Sequence, residues 1–196
     1  RALWRQEGPD ALAPYVPAGA LPRYQAARAA GDDTDPQAVS LAVLSRLRAR
    51  ADMGGFAGVR GAAEGLEHRL DSCVRQAVTL ESLCDALTTV RYPRARMRRL
   101  AMDAALGYGS PGAGPGWLTL PALPPYLHLL AARREAMPLL AAASLPVSPS
   151  LARLARENDA CARTARAQTA ASDLAALCRR TPQPMGTAYT VPFTKL

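Results

Sequence analysis

Lysine is almost absent from the 196-residue sequence, in which Lys195 is the one residue of that type. The 24 basic residues are therefore nearly all arginines, and against 16 acidic residues they give a net charge of +8. Such a charge favours an anionic partner. Because arginine replaces lysine throughout, the surplus reflects a compositional bias as much as binding, and only clustered arginines indicate a binding surface.

Cysteine pairs and histidine clusters of the kind that bind zinc are also missing. The four cysteines are widely spaced, without a C-x-x-C pair: Cys73, Cys84, Cys161 and Cys178. We therefore expect no metal site, and free thiols buried in the core. The two histidines, His68 and His128, are single residues, and we interpret both as structural.

Long apolar runs and the commoner catalytic motifs are lacking as well. No run approaches the roughly 20 residues that cross a bilayer, and no charged-then-apolar signal pattern opens the chain. We expect a soluble cytoplasmic protein with no membrane partner. The glycine-rich segments 54–58 and 107–116 have no flanking strand and helix and no phosphate-binding lysine, and G-x-S-x-G does not occur. We predict no catalytic residue in this chain.

The apolar residues, 49% of the chain, recur at helical spacing between proline- and glycine-marked breaks. The clearest stripe has steps of four, three, four and three residues: Leu66, Leu70, Cys73, Ala77 and Leu80. No alternation of strands with helices suggests a nucleotide-binding sheet. The predicted fold is therefore mainly α, a compact multi-helix domain with at most one or two short strands.

Five arginines occur within nine residues, beside one tyrosine: Arg91, Tyr92, Arg94, Arg96, Arg98 and Arg99. Arginine grips phosphate through two parallel hydrogen bonds, and a tyrosine ring can stack on a base or ribose. Pro93 is tolerated in a first helical turn, which predicts a helix from Pro93 to Leu106. These six residues are our candidate RNA-binding surface. The alternative is a solvated arginine face in an arginine-biased protein.

A second group of polar residues lies on the preceding predicted helix: Glu64, Glu67, His68 and Arg69. We interpret this group as a local salt-bridging face that supports the arginines. In particular, we expect Glu64 to hold Arg94 or Arg98 of the neighbouring helix in place.

Three segments, in this order, carry a resemblance to a known family: Glu64–Leu70, Thr79–Leu83 and Arg91–Leu100. They resemble the bacterial tRNA(Met) cytidine acetate ligase family of HIGH-type nucleotidyltransferases. Segments Ala11–Pro17 and Tyr126–Leu130 are similar to the family as well. His68 stands where the family has asparagine, and Pro93 where it has threonine.

The resemblance implies a function for the longer protein. Members of the family activate acetate with ATP as acetyl-adenylate and pass the acetyl group to the wobble cytidine of elongator tRNA(Met). Their ATP contacts and histidine motif belong to an N-terminal Rossmann-like domain. The resemblance therefore implies a C-terminal half with no cofactor of its own, ATP and acetate being ligands of the full-length family. Its implied partners are tRNA and the missing N-terminal domain.

On this interpretation the chain has four parts. Residues 1–34 are a helical connector from the missing domain, 35–108 a helical core with the arginine-rich helix, 109–124 a glycine- and proline-rich linker, and 125–196 a C-terminal helical segment with an extended tail. The alternative function is a helical protein-interaction or scaffold domain. An exposed apolar surface at Leu3, Trp4 and Tyr15 would then allow a homodimer. A complete enzyme that uses His68 with Glu64 is the weakest alternative.

Overall fold

A computed structural model describes residues 7–62 and 65–195 of the chain, with the backbone alone at residue 195. Three sequence-based expectations concern residues outside these ranges. They are the first residues of the helical connector predicted for residues 1–34, the apolar surface formed by Leu3 and Trp4, and the bracing role of Glu64.

The described residues form eight α-helices: α1 (Leu21–Ala29), α2 (Pro36–Met53), α3 (Leu66–Gln76), α4 (Leu80–Leu87), α5 (Arg94–Leu106), α6 (Met137–Ala141), α7 (Leu151–Leu154) and α8 (Asp159–Leu177). Short 3₁₀ helices occur at Pro9–Tyr15, Arg134–Ala136 and Thr187–Tyr189. None of the described helices is long and apolar enough to span a membrane.

Six strands of two residues each are also described: β1 (Tyr108–Gly109), β2 (Leu118–Thr119), β3 (Leu127–His128), β4 (Ala131–Ala132), β5 (Val147–Ser148) and β6 (Thr194–Lys195). They pair in parallel as β1–β2, β3–β5 and β4–β6. The predicted fold class, a compact multi-helix domain with at most one or two short strands, is therefore wrong. A two-residue strand is too short to leave an alternating pattern in the sequence, which explains the error.

Helices α2 to α5 surround the larger apolar core, which the C-terminal end of α8 completes with Leu174 and Cys178. Its fully buried side chains include Val43, Leu47, Leu70, Val74, Leu83, Leu87 and Met97. The predicted stripe lies in this core, although Cys73 is only half-buried. The core fixes α5 against α2 and α4, and so determines which of its side chains face solvent.

A second, smaller apolar cluster lies in the C-terminal part of the chain: Tyr126, Leu151, Leu154, Cys161, Ala165 and Ala188. Helix α8 contributes to both clusters, because its first turns pack here and its last turns reach the larger core. Between them, the Tyr108 hydroxyl donates a buried hydrogen bond of 2.8 Å to the Ala167 carbonyl oxygen. Helix α8 therefore joins the two halves of the described structure.

The loop after α1 is held to the residues after α8 by charged pairs. Asp32 Oδ1 lies 2.9 Å from Arg179 Nη1, and Asp33 Oδ2 lies 2.9 Å from Arg180 Nε. Arg28 of α1 reaches the same Asp33 oxygen at 2.6 Å. Because the Asp33 side chain is only 8% exposed, its pairs are less screened by water than typical surface pairs. We call these five residues the terminal clamp.

Candidate nucleic-acid interface

The arginine-rich segment folds as α5, beginning directly after Pro93 as the sequence predicts. Its apolar positions face the core: Met97, Leu100, Ala101, Ala104 and Ala105. The remaining surface carries the charges, and Arg94, Arg96 and Arg99 are exposed while Arg98 is half-buried. The helix therefore presents a row of cations beside the folded core.

Two of these cations are held by carboxylates of α4. Arg94 forms ion pairs with both Glu81 and Asp85, and Arg98 Nη1 lies 3.9 Å from Glu81 Oε1. Both carboxylates come from α4. The bracing role predicted for Glu64 concerns a residue outside the described ranges and stays a prediction. The carboxylates offset part of the positive charge of Arg94 and Arg98. Each of these arginines therefore attracts a phosphate less strongly than an arginine without an ion-pair partner does.

Tyr92 lies in the turn between α4 and α5, half-buried against the core. The Cζ atoms of Arg91 and Arg96 lie 5.6 and 5.2 Å from the centroid of its ring. At these distances the ring attracts both guanidinium groups. The geometry gives Tyr92 a positioning role for two arginines, while stacking of an RNA base on it stays a prediction.

Arg96 and Arg99 are the most available cations of the cluster. Both are exposed, and neither forms an ion pair with any carboxylate in the described ranges. They are three residues apart on one helix, so their side chains are neighbours on its surface. Two adjacent, unpaired guanidinium groups suit the spaced phosphates of a nucleic-acid backbone.

The supporting residues on α3 differ in their surroundings. Arg69 Nη2 donates a 2.7 Å hydrogen bond to the Ala86 carbonyl oxygen, which ties α3 to the last turn of α4. The His68 side chain is 89% exposed, with its Nε2 3.9 Å from Glu67 Oε1. His68 is therefore a surface residue and not part of the core. Arg69 is the one of these three that fixes the α4 scaffold behind the arginines.

Sequence reasoning missed a partly buried ion pair that orients α5. Asp103 of α5 is buried, and its Oδ2 and Oδ1 accept from Arg60 Nε at 2.9 Å and Nη2 at 2.8 Å. The hydrogen bond to Asp103 raises the pKa of Arg60, even though partial burial opposes this change. A single aspartate among the apolar residues of α5 was the signal available. The pair fixes the rotation of α5 about its axis.

Metal and cysteine chemistry add little to the site. In the part of the chain that the structure covers, no group of three or more His, Cys, Asp or Glu side chains could hold a metal ion. All four cysteines are free thiols, three of them buried. His128 belongs to the smaller half of the molecule, where its Nδ1 lies 3.0 Å from Gln168 Nε2.

The described structure is thus a set of helices and short parallel strands, with a cationic face on α5. A model of the HIGH nucleotidyl transferase family matches residues 1–187. The chain therefore belongs to the HIGH nucleotidyl transferase family, as the resemblance indicated. A search of curated proteins by sequence finds no match.

Solved structures give the same fold. TmcAL of Thermotoga maritima bound with alpha-thio ATP matches with a TM-score of 0.81 and 17% identity, over 100% of this chain and 51% of that one. The apo form of the same protein matches with a TM-score of 0.79 and 16% identity, over 100% and 49%. At these identities the likeness is one of fold. The chain spans about half the length of the structures it matches.

These comparisons correct two expectations. The predicted absence of a cofactor from this chain is wrong, because the nucleotidyl transferase model covers residues 1–187 and the matched Thermotoga protein holds alpha-thio ATP. The same range also corrects the predicted fold class, since the family domain continues beyond the helical core, through strands β1 to β5, to residue 187. The family domain is therefore larger than a self-contained helical bundle.

Proposed function

We propose that this chain is the tRNA-binding, helical C-terminal portion of an ATP-dependent tRNA(Met) cytidine acetate ligase-like protein. The observation that carries the proposal is the pair Arg96 and Arg99 on α5, exposed and without carboxylate partners among the described residues. Family membership and the fold shared with TmcAL support it. In this proposal the two arginines contact RNA phosphates directly.

The other members of the surface have graded roles in this proposal. Arg91 joins the phosphate contacts from the turn before α5, and Tyr92 holds Arg91 and Arg96 in place. Arg94 and Arg98 add a weaker attraction, since Glu81 and Asp85 offset their charge. None of these contacts specifies a base, because phosphate contacts carry affinity and register but no sequence information.

For the longer protein we propose the chemistry of the family, in which ATP activates acetate for transfer to the wobble cytidine. The Thermotoga relative bound with alpha-thio ATP supports ATP as a ligand. Isothermal titration calorimetry of this chain with ATP tests whether its residues contribute to the ATP-binding site. Measurable binding supports a contribution from these residues, and no heat up to millimolar ATP counts against one.

The RNA-binding proposal is tested by tRNA binding to the 196-residue chain at several salt concentrations. The double variant Arg96→Ala/Arg99→Ala should weaken binding about 10-fold or more at low salt, since two charge-assisted contacts are lost. The slope of log K against log salt should become less steep by about 1.5, the effect of two lost phosphate contacts.

Arg163→Ala/Arg166→Ala on α8 is a matched control, because these arginines are also exposed, three residues apart and unpaired with any described carboxylate. The control should bind tRNA almost as the parent does. An equal loss of tRNA affinity in both double variants would indicate that binding depends on the net charge of the chain and not on the surface of α5. Absence of tRNA binding in the parent would favour the interaction or scaffold domain instead.

A further inference from the structure

A cavity of about 850 Å³ lies where α2 and α5 both end, beneath the loop that follows β1. This volume lies within the range of small-molecule sites. Helix α2 ends at Met53 and α5 at Leu106, and both residues line the cavity together with the glycine-rich segment before Trp117. The cavity is separate from the arginine surface at the start of α5.

Its most distinctive element is an aromatic ring stacked on a cation. The Arg50 Cζ atom lies 3.9 Å from the centroid of the Trp117 indole, and Arg50 Nη2 donates to the Gly116 carbonyl oxygen at 3.1 Å. Burial lowers the pKa of Arg50, although a guanidinium stays charged at neutral pH. Planar bases stack on both indole rings and guanidinium planes.

Backbone donors and a second cation line the same space. Side-chain atoms placed on Gly112, Gly114 or Gly116 would meet nothing within 4 Å, so the backbone there borders open space. Their amide groups donate no hydrogen bond to a described residue. Arg46, one turn before Arg50, also lines the cavity, is exposed, and has no ion-pair partner within the described ranges.

The ends of α2 and α5 decide what kind of group fits inside. A helix C-terminus carries a partial negative charge, and two of them meet at this cavity. They disfavour a phosphate in the interior, whereas a neutral base with donor and acceptor edges can use both the carbonyl and the amide groups. A phosphate attached to that base would then lie outside, at Arg46.

One strip of α5, exposed at Arg99 and half-buried at Met102 and Leu106, connects this cavity to the arginine surface. Arg99, Met102 and Leu106 follow each other along α5 at spacings of three and four residues, and Leu106 lines the cavity. The helical rise places Arg99 about 10 Å from Leu106 along the axis. One stretch of single-stranded RNA can therefore contact both places.

We propose that this cavity binds one unpaired nucleobase of the RNA held by α5, stacked against the Arg50–Trp117 pair with its phosphate on Arg46. The inference rests on the proposed RNA-binding function. Base binding in the cavity would let the protein distinguish single-stranded from paired RNA, which phosphate contacts alone do not allow.

The test compares two RNAs bound to the full 196-residue chain by fluorescence anisotropy: a hairpin with an unpaired loop and a fully paired duplex. Trp117→Ala should weaken hairpin binding about 10-fold, through the lost stacking, and leave duplex binding unchanged. Ala49→Phe should do the same, because residue 49 is exposed on α2 and lines the cavity, which the new ring would fill.

Ser45→Phe is the matched control, since residue 45 is exposed on the same helix and does not line the cavity. It should bind both RNAs as the parent does. If Trp117→Ala unfolds, Ala49→Phe decides the question. Equal effects on both RNAs, or none on the hairpin, overturn the cavity assignment alone. If the parent binds neither RNA, the proposed function fails with it.

Discussion

At the scale of single residues, the buried thiols Cys84 and Cys178 link stability to pH. Burial raises the pKa of both. At Cys84 the nearby Arg94 and Arg98 oppose this shift without cancelling it. A thiol whose pKa is raised by folding remains protonated in the folded state at a pH where the unfolded chain has already ionised. Its contribution to stability is therefore complete below the unfolded pKa and is lost as the pH rises.

We predict a free energy of unfolding that falls above about pH 8.5, the ordinary thiol pKa, by at most about 1.4 kcal/mol per pH unit for each thiol. Urea unfolding between pH 7 and pH 9.5, under reducing conditions, measures it. The double variant Cys84→Ala/Cys178→Ala should show a flatter dependence over the same interval. If the free energy of unfolding of the variant falls with pH as steeply as that of the parent, groups other than these two thiols titrate over this interval.

At the scale of secondary-structure elements, the β1–β2 pairing depends on close approach at Gly109. A Cβ atom there would lie 2.6 Å from the Trp117 Cβ and 2.8 Å from the Ala113 Cβ. We predict that Gly109→Ala destabilises the protein by about 1–3 kcal/mol, because backbone or neighbouring side chains must move. Thermal or urea unfolding measures the change.

Gly114→Ala is the control in the same loop. It has open space around the added methyl group and no positive φ, so it should be neutral or stabilising by up to about 1 kcal/mol. A similar loss in both variants would mean that the loop tolerates no side chain at all, and would contradict the steric explanation.

Helix signals in the sequence were more reliable than strand signals. Pro93 marks the start of α5, and Thr79 with Ser82 forms the capping box that begins α4. These motifs act through local hydrogen bonds and backbone angles, so the sequence carries them directly. Leu41 is a large apolar residue of α2, yet it is 74% exposed. Which side of α2 is covered depends on its neighbours, and propensity alone does not specify it.

The candidate interface was predictable only in outline for the same reason. The six residues were recognisable from their density in the sequence, but the carboxylates that pair with Arg94 and Arg98 come from another helix. The Arg60–Asp103 pair joins residues 43 positions apart. Such contacts follow from tertiary packing, which no local spacing reveals.

At the scale of the whole molecule, the terminal clamp holds distant parts of the chain together. We predict that Asp33→Ala costs about 1–2 kcal/mol of stability, since two arginines lose a nearly buried partner. Amide exchange should accelerate at Arg180 and Thr181, whose N–H groups donate to the carbonyl oxygens of Asp33 and Gly31. Exchange in α3 should stay the same.

Asp32→Ala provides the comparison, because its pair with Arg179 is more exposed and should contribute less than about 0.5 kcal/mol. Hydrogen exchange monitored by mass spectrometry, together with urea unfolding, distinguishes the two variants. Equal behaviour of both would show that burial of Asp33 has no particular importance.

The completion of the larger core by α8 has a consequence for synthesis on the ribosome. Helices α2 to α5 are close in sequence and can collapse early, whereas Leu174 and Cys178 are translated some 70 residues after the end of α5. Until then the nascent core has an uncovered apolar side. That side is where we expect a chaperone to bind the growing chain, and truncation before α8 should yield an aggregating product.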